Sequence, residues 1–226
     1  MYEVEVKVRA DHETVRERVA ALDADFQGTI RQEDTYYDAP HREFAETDEA
    51  LRVRRETPVE TGADDGDGIE NAGPGSTLET DGTRAETTVI TYKGPLVDAD
   101  SKTRHEAETA VGDAETVHGI LTELGFTPAA TVPKRRSTYT ATDEEWTIVC
   151  DRVEDLGEFV EVELEADEGE IEAARERVYG ILRDLDLDPA DGIRTSYLGM
   201  LLDGADGPDD SDEPTESDGS DASESR

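Results

Sequence analysis

Several segments of this chain alternate charged and apolar residues with a period of two, and their charged faces carry both signs. Residues 2–9 place Glu3, Glu5 and Lys7 on one face and valines on the other. A period of two is typical of a β-strand, because successive side chains point to opposite faces of the sheet. Acids alone indicate little in so acidic a chain, whereas bases and acids that share one face favour a binding site over a solvated surface.

The same periodicity, combined with helical spacing and turn residues, predicts eight strands and three helices. The strands are predicted at about 2–9, 29–37, 50–55, 86–94, 102–110, 130–141, 146–152 and 158–166. Asp11 and Asp113 are predicted to cap the first two helices, and the third helix is predicted over 168–186. The second helix is expected to bury an apolar face made of Val117, Ile120, Leu121 and Leu124. A short amphipathic segment follows and ends at 197–202.

Two architectures satisfy this pattern, and both are α+β. If every strand turns its charged face inward, the eight strands form a closed antiparallel barrel with a polar lumen and helices packed outside. The alternative is an open sheet with helices on one side and charge facing water. Alternation by itself is compatible with both.

The formal net charge is −37, from 59 acidic and 22 basic residues. Such a charge repels nucleic acid and anionic membranes, so neither is expected as a partner. It also destabilises a compact state in dilute buffer, whereas molar salt shortens the Debye length to about 3 Å. A halophilic protein of the cytoplasm is therefore predicted. A single cysteine and the lack of a long uncharged apolar run agree with that compartment. A monomer or a homodimer is expected.

Residues 57–85 and 203–226 differ in composition from the rest of the chain. Both are rich in Gly and acids and poor in apolar residues. We predict one folded domain over 1–202, with 57–85 as a flexible acidic insert and 203–226 as a disordered acidic tail.

Lysine is rare in this chain and its placement is informative. Only four of the 22 bases are lysines, and Lys7, Lys93 and Lys134 all fall within predicted strands. An ammonium inside a strand is a suitable phosphate ligand, and arginine adds bidentate geometry. Carboxylates two residues away could hold the Mg²⁺ or Mn²⁺ that bridges phosphate oxygens. Charged residues also share one strand face at Arg52 and Arg54, at Arg104, Glu106 and Glu108, at Lys134 and Arg136, and at Glu161, Glu163 and Glu165.

An ordered set of motifs resembles the CYTH superfamily, the triphosphate tunnel metalloenzymes. The matching segments are Glu3-x-Glu5-x-Lys7, Asp34 to Asp38, Ala50 to Arg54, Thr91 to Pro95, Arg104-x-Glu106-x-Glu108, Lys134 to Arg136, Asp151, and Leu156 to Glu163. The stretch Arg194 to Leu202 is similar to the S-Y-x-x-L-L end of the class IV adenylyl cyclases in that superfamily.

The resemblance implies an eight-stranded antiparallel tunnel that binds a nucleoside triphosphate or another triphosphate together with Mg²⁺ or Mn²⁺. It implies conversion of ATP to cyclic AMP and pyrophosphate. Hydrolysis of inorganic or thiamine triphosphate, and triphosphate or polyphosphate binding without catalysis, are the alternatives. The candidate substrate ligands are Lys7, Arg52, Arg54, Lys93, Arg104, Lys134 and Arg136. The candidate metal ligands are Glu3, Glu5, Glu106, Glu108, Asp151, Glu161 and Glu163. Lys93 and Tyr37 are the candidate catalytic residues, since either could face the lumen.

The remaining reactive side chains are assigned structural or solvent-exposed positions. The four histidines lack metal-ligand spacing and are expected to face solvent. Cys150 alternates with Ile148 and Trp146, which favours a place in the core. No Walker A loop is present, so side chains must hold the phosphates.

Overall fold

The computed structural model describes residues 2–59, 86–98, 100–141 and 145–205. Its strands are β1 (Tyr2–Arg9), β2 (Ala24–Asp38), β3 (Ala50–Pro58), β4 (Thr87–Leu96), β5 (Lys102–Val111), β6 (Thr127–Ala141), β7 (Trp146–Val153) and β8 (Gly157–Ala166). Its helices are α1 (His12–Val19), α2 (Phe44–Thr47), α3 (Ala114–Glu123), α4 (Ile171–Asp184) and α5 (Tyr197–Ala205), with a 3-10 turn at Pro189–Asp191.

The eight strands close into one barrel in the order β1-β5-β4-β3-β2-β6-β7-β8. Every neighbouring pair is antiparallel, and β1 completes the ring by pairing with β8. The predicted tunnel is therefore confirmed, and the open sheet is excluded. Since side chains alternate along each strand, closure sends every second residue into a common lumen.

The apolar faces of the strands lie outside the barrel, where helices cover them. Val4, Val6 and Val8 of β1 are buried with Val178 and Leu182 of α4 in the main hydrophobic cluster. On the opposite wall, a second cluster joins Tyr37, Phe44, Leu51, Val53, Ala114 and Leu121, which come from β2, β3, α2 and α3. This inside-out distribution leaves the lumen for polar groups.

The predicted helix caps are confirmed. The carboxylate of Asp11 accepts a hydrogen bond from the backbone N–H of Thr14 at 2.9 Å, and Asp113 accepts one from Thr116 at 2.7 Å. Both contacts satisfy donors that a helix N-terminus leaves unpaired. Gly125 follows α3 with φ of +89°, the left-handed conformation that glycine allows at a helix end.

Two sequence predictions about burial are wrong. On α3, Leu121 is buried but Ile120 and Leu124 are 54% and 64% exposed, because the helix contacts the barrel through a narrow stripe. His12 does not face solvent: its Nε2 lies 3.0 Å from the carbonyl of Phe159, and the ring is buried against the barrel wall.

Segment boundaries also differ from expectation. Strand β2 begins at Ala24 rather than 29, β3 extends through Pro58 into the proposed insert, and α5 continues to Ala205. Most of the proposed insert (60–85) and tail (206–226) lie outside the described residues. Within the described ranges, no helix combines the length and the apolar character needed to cross a bilayer.

Candidate active site

The lumen of the barrel gathers acidic and basic side chains from all eight strands. The register of the paired strands shows how these side chains are brought together. Lys7 of β1 is level with Glu161 of β8, Arg136 of β6 with Asp151 of β7, and Lys93 of β4 with Glu106 of β5. Each of these pairs projects to the same side of the sheet. The charged faces predicted from alternation therefore meet inside one cavity.

One end of the lumen is closed. Tyr36, Val132, Val153 and Phe159, from four different strands, form an apolar cluster there with Tyr197 at the start of α5. The backbone N–H of Ile193 donates to the carbonyl of Lys7 at 2.7 Å, which fixes the segment before α5 across this end. We call this apolar end the floor of the lumen.

The opposite end is open and acidic. Strand β1 begins here, and Glu3, Glu163 and Glu165 line a cavity at this mouth. The side chain of Glu3 is 29% exposed and that of Glu163 is 20% exposed, whereas Lys7, near the floor, is 1% exposed. A ligand of the lumen must therefore enter past these carboxylates.

Asp34 of β2 holds a group of cations in the middle of the lumen. Its carboxylate accepts hydrogen bonds from Arg54 at 2.6 and 2.8 Å and from Arg52 at 3.4 Å. The Nζ of Lys134 lies 3.7 Å away. Burial opposes ionisation of Asp34, but these three cations outweigh it and lower its pKa well below the ordinary value.

Arg136 forms a second network toward β7 and β8. It donates to both oxygens of Asp151, at 2.8 and 2.5 Å, and to Glu161 at 2.6 Å. Its Nη1 lies 3.6 Å from Glu163. Asp151 is fully buried, and Lys134 approaches it at 3.4 Å. Asp151 is thus engaged with two cations in this structure.

Three carboxylates form a compact cluster between the mouth and the level of Lys7: oxygens of Glu5, Glu161 and Glu163 all lie within 4.8 Å of one another. Burial raises the pKa of Glu163 to about 8, and the neighbouring charges of Glu3, Glu161 and Glu5 add to this against the opposing effect of Arg136. Carboxylate oxygens are the ligands that Mg²⁺ and Mn²⁺ prefer. A divalent cation would offset the crowding of negative charge, so these residues fit a metal.

Glu5 itself remains ionised at neutral pH. Burial would raise its pKa, but Lys102, Lys7 and Lys93 reverse the effect and lower the pKa to about 2. The Nζ of Lys102 donates to Glu5 at 3.2 Å. At least one member of the cluster is therefore a ready carboxylate donor.

A third group lies on β4 and β5. Lys93 donates to Glu106 at 2.5 Å and lies 4.0 Å from Glu3. Burial raises the pKa of Glu3 to about 7, with Lys93 opposing and Glu106 adding to the rise. Glu108 accepts a hydrogen bond from Thr91 at 2.8 Å and is 53% exposed.

Not every predicted site residue joins these groups. Tyr37 points out of the barrel, packs between β2 and α3, and its hydroxyl lies 3.1 Å from Nδ1 of His118. It cannot act in the lumen. Among the described residues, Glu106, Glu108 and Asp151 lie outside the three-carboxylate cluster. Arg104 reaches the backbone carbonyl of Asp48 at 2.6 Å.

The sequence interpretation missed several members of the site. Lys102 begins β5 and Asp34 lies on β2, and neither was assigned a role. Lys102 could have been found from the lysine count, since all four lysines of the chain contact lumen carboxylates or the floor. Asp34 could have been found from its position in a tyrosine-containing strand, opposite Arg54.

Comparison with known proteins agrees with this architecture. The model of the CYTH domain family matches residues 1–197. The "Putative adenylate cyclase MJ0240" of Methanocaldococcus jannaschii is 36% identical over 200 residues, covering 88% of this chain and 97% of its own.

Solved structures share the fold. The PH1819 protein from Pyrococcus horikoshii OT3 has a TM-score of 0.73 and 33% identity, covering 89% of this chain and 99% of its own. HpAC1 from Hippeastrum, described as a "putative adenylyl cyclase" that "reveals a dominant" triphosphatase activity, has a TM-score of 0.54 and 16% identity. It covers 89% of this chain and 96% of its own.

Proposed function

This chain belongs to the CYTH domain family, and on that premise we propose that its lumen is the active site of a metal-dependent enzyme that converts ATP to cyclic AMP and pyrophosphate. CYTH proteins bind triphosphate substrates, and the family is metal-dependent. The narrower assignment to cyclase chemistry takes support from the 36% identity to the archaeal relative named for that activity.

The observation that carries the proposal is the coexistence of a carboxylate cluster and a set of buried cations in one enclosed cavity. Glu5, Glu161 and Glu163 converge at one level of the lumen. Lys7, Arg52, Arg54, Lys134 and Arg136 are buried or nearly so in the same cavity. Cations alone would suit an anion, and carboxylates alone would suit a metal. Their combination suits a metal-bound polyphosphate.

The carboxylates of Glu5, Glu161 and Glu163 would hold Mg²⁺ or Mn²⁺. When bound, such a cation supplies Lewis-acid stabilisation of negative charge on phosphate oxygens. Glu3, near the same mouth, is a further candidate ligand, as are Glu106, Glu108 and Asp151 if their present cation partners turn to a bound phosphate.

The basic residues would bind and orient the triphosphate. Arg54 and Arg136 carry planar guanidinium groups that can bind phosphate oxygens in a bidentate manner. In this structure ion pairs with Asp34 and Asp151 hold the two groups in position. Lys7, Arg52, Arg104 and Lys134 complete the proposed set of substrate ligands. Catalysis would then come mainly from positioning and charge neutralisation.

In the proposed reaction the 3′-hydroxyl oxygen of ATP forms a bond to the α-phosphorus. The bond from that phosphorus to its bridging oxygen breaks, pyrophosphate leaves with the electron pair, and the hydroxyl proton passes to solvent. Lys93 is proposed to stabilise the charge that develops on phosphate. Its Nζ donates a hydrogen bond to Glu106 at 2.5 Å, a charge-assisted contact of the kind a phosphate ligand makes, so we assign it this role rather than that of a general base.

Triphosphate hydrolysis is the second candidate, because the same lumen groups would serve it. Attack by water on the terminal phosphorus releases orthophosphate instead of a cyclic product. The activity described for the Hippeastrum protein belongs to that protein, whose 16% identity shows the shared fold.

Product identification separates the candidates. The protein is incubated in molar KCl with Mg²⁺ or Mn²⁺ and, separately, ATP, tripolyphosphate or thiamine triphosphate. Cyclic AMP and pyrophosphate in equal amounts support the cyclase. Orthophosphate release supports a triphosphatase, and tight binding without turnover indicates a binding protein. Glu161→Gln is expected to lose whichever activity is present, while Glu172→Gln, at an exposed position of α4, is the matched control.

A further inference from the structure

The hydroxyl of Tyr197 lies at the floor of the lumen without a hydrogen-bond partner. The residue is 6% exposed, and its oxygen is among the few buried side-chain atoms of the described residues that no donor or acceptor reaches. An unpaired buried hydroxyl is costly, and native structures usually satisfy such groups. The unpaired hydroxyl of Tyr197 therefore points to a ligand that forms a hydrogen bond with it.

Two ammonium groups flank the same ring. The Nζ of Lys7 lies 4.2 Å from the ring centroid of Tyr197, and the Nζ of Lys134 lies 5.1 Å from it. Lys7 also donates to the carbonyl of Thr195 at 2.7 Å, which fixes it at the floor. Phe159 packs edge-on against the ring at 5.0 Å and holds its orientation.

The hydroxyl is directed into the lumen and remains a donor. Its electrostatic neighbours are the lumen groups Glu161, Asp151, Arg136 and Glu5. Burial, followed by the carboxylates, raises the pKa of Tyr197 far above its ordinary value, so the proton is retained throughout the working pH range. An anionic oxygen placed between the two ammonium groups would accept it.

The carboxylate cluster lies farther toward the mouth on the same wall. On β8, Glu163 is four residues beyond Phe159 and Glu161 is two residues beyond it, which corresponds to roughly 13 and 7 Å along the strand. A triphosphate that enters from the mouth thus meets Glu3 and Glu163 first, then the level shared by Glu161 and Lys7, and Tyr197 last. Because the floor is closed, the group that reaches it must be the end of the phosphate chain.

We propose that the Tyr197 hydroxyl donates a hydrogen bond to the free terminal phosphate of the substrate, and that the closed floor restricts the enzyme to triphosphates with one unesterified end. This inference rests on the proposed function. The phosphate that carries the nucleoside would then lie nearer the carboxylates. Compounds with a nucleoside at both ends of the triphosphate would be excluded.

The test combines one conservative variant with a comparison of ligands. Tyr197→Phe removes only the oxygen, and Tyr179→Phe, on the outer helix α4, is the control. Dissociation constants for tripolyphosphate, ATP and diadenosine triphosphate are measured by calorimetry with Mg²⁺ in molar KCl, and thermal melting checks the fold. Wild type is expected to bind ATP at least tenfold more tightly than diadenosine triphosphate.

In Tyr197→Phe, tripolyphosphate and ATP are expected to bind about tenfold more weakly, a typical effect for a hydrogen bond to a charged group. The melting temperature should not fall, since the lost hydroxyl has no protein partner. Unchanged affinities in this variant, or equal wild-type binding of ATP and diadenosine triphosphate, would overturn the inference while leaving the proposed function standing. Failure of wild type to bind any triphosphate would overturn both. The wild-type comparison decides the matter if the variant does not fold.

Discussion

Asp34 and Arg54 form a bidentate ion pair inside the barrel, with Nε and Nη2 of the arginine at 2.6 and 2.8 Å from the two carboxylate oxygens. The carboxylate is 1% exposed and also faces Arg52 and Lys134. In a cavity built for an anionic ligand, Asp34 therefore serves as the internal counter-ion of three cations. Its removal should have opposite consequences for folding and for anion binding.

Asp34→Asn is expected to lower the free energy of unfolding by about 3–5 kcal/mol, because breaking a buried ion pair leaves uncompensated charge. Tripolyphosphate should restore more stability to this variant than to wild type, since the anion replaces the lost charge. Denaturant unfolding in molar KCl, with and without tripolyphosphate, measures both effects. Asp186→Asn, which breaks an exposed pair with Arg18, is the control and should change little. An unaltered unfolding midpoint in Asp34→Asn would contradict this view of the lumen.

The Asp34 pair also predicts a pH dependence. The folded-state pKa of this carboxyl is lowered, so its contribution to stability is complete above the unfolded pKa of about 3.9 and is lost as pH falls below that value. The stability gap between wild type and Asp34→Asn should therefore be constant from pH 8 to pH 5 and shrink below pH 4. Melting temperatures of both proteins across this pH range measure the gap. A gap that widens in acid would contradict the prediction.

The carboxylate cluster predicts that removing one of its members weakens the binding of a divalent metal. Glu161→Gln removes one candidate ligand and its negative charge. Affinity for Mn²⁺ should fall by at least the roughly 10–100-fold seen for loss of supporting groups around metals. The metal-free variant should also be less stable, because burial and Glu5 oppose ionisation of Glu161 but Arg136, Lys7 and Lys134 outweigh them and lower its pKa. Calorimetric titration and thermal melting, with Glu172→Gln as control, provide the readouts. Equal Mn²⁺ affinity in both variants would count against the cluster.

Cys150 provides a prediction independent of the lumen. Its thiol lies in the main hydrophobic cluster, 1% exposed, and burial raises its pKa to about 12. The thiol is therefore protonated and shielded, and Ellman's reagent should label it only in unfolded protein. Rapid labelling of the native protein at pH 8 would show that the outer core opens readily.

The net charge of −37 predicts dependence on salt. At molar KCl the Debye length is about 3 Å, so repulsion between surface carboxylates is screened. The melting temperature should rise continuously from dilute buffer to molar KCl. Full stability and activity in dilute buffer would contradict the predicted halophilic character.

The strands and the facing of their residues could be predicted from the sequence, because alternation with a period of two is a local property. Lys7, Arg52 and Glu161 all point into the lumen, as their positions in the alternating pattern predict. Closure of the sheet could not be derived from alternation, since an open sheet has the same pattern; it depends on the pairing of β1 with β8, which are far apart in the chain.

The errors have physical causes that lie outside local patterns. Tyr37 of β2 pairs with Leu51 of β3, whose side chain lies on the outer, apolar face of the barrel. Paired residues point to the same side of a sheet, so Tyr37 also lies outside. Burial of His12 depends on a carbonyl of β8, more than a hundred residues away. The metal cluster is likewise nonlocal, because β1 and β8 must be adjacent before Glu5 meets Glu161 and Glu163.

ATP turnover by Lys93→Ala and Glu5→Ala, measured beside wild type in molar KCl with Mg²⁺ or Mn²⁺, tests whether the charged lumen is the active site. One variant removes a cation of the lumen and the other removes a carboxylate, while circular dichroism confirms the fold of each. Wild type is expected to form cyclic AMP and pyrophosphate, and both variants are expected to lose turnover with the fold intact. Wild-type rates in both folded variants would show that the charged lumen is not where the chemistry takes place.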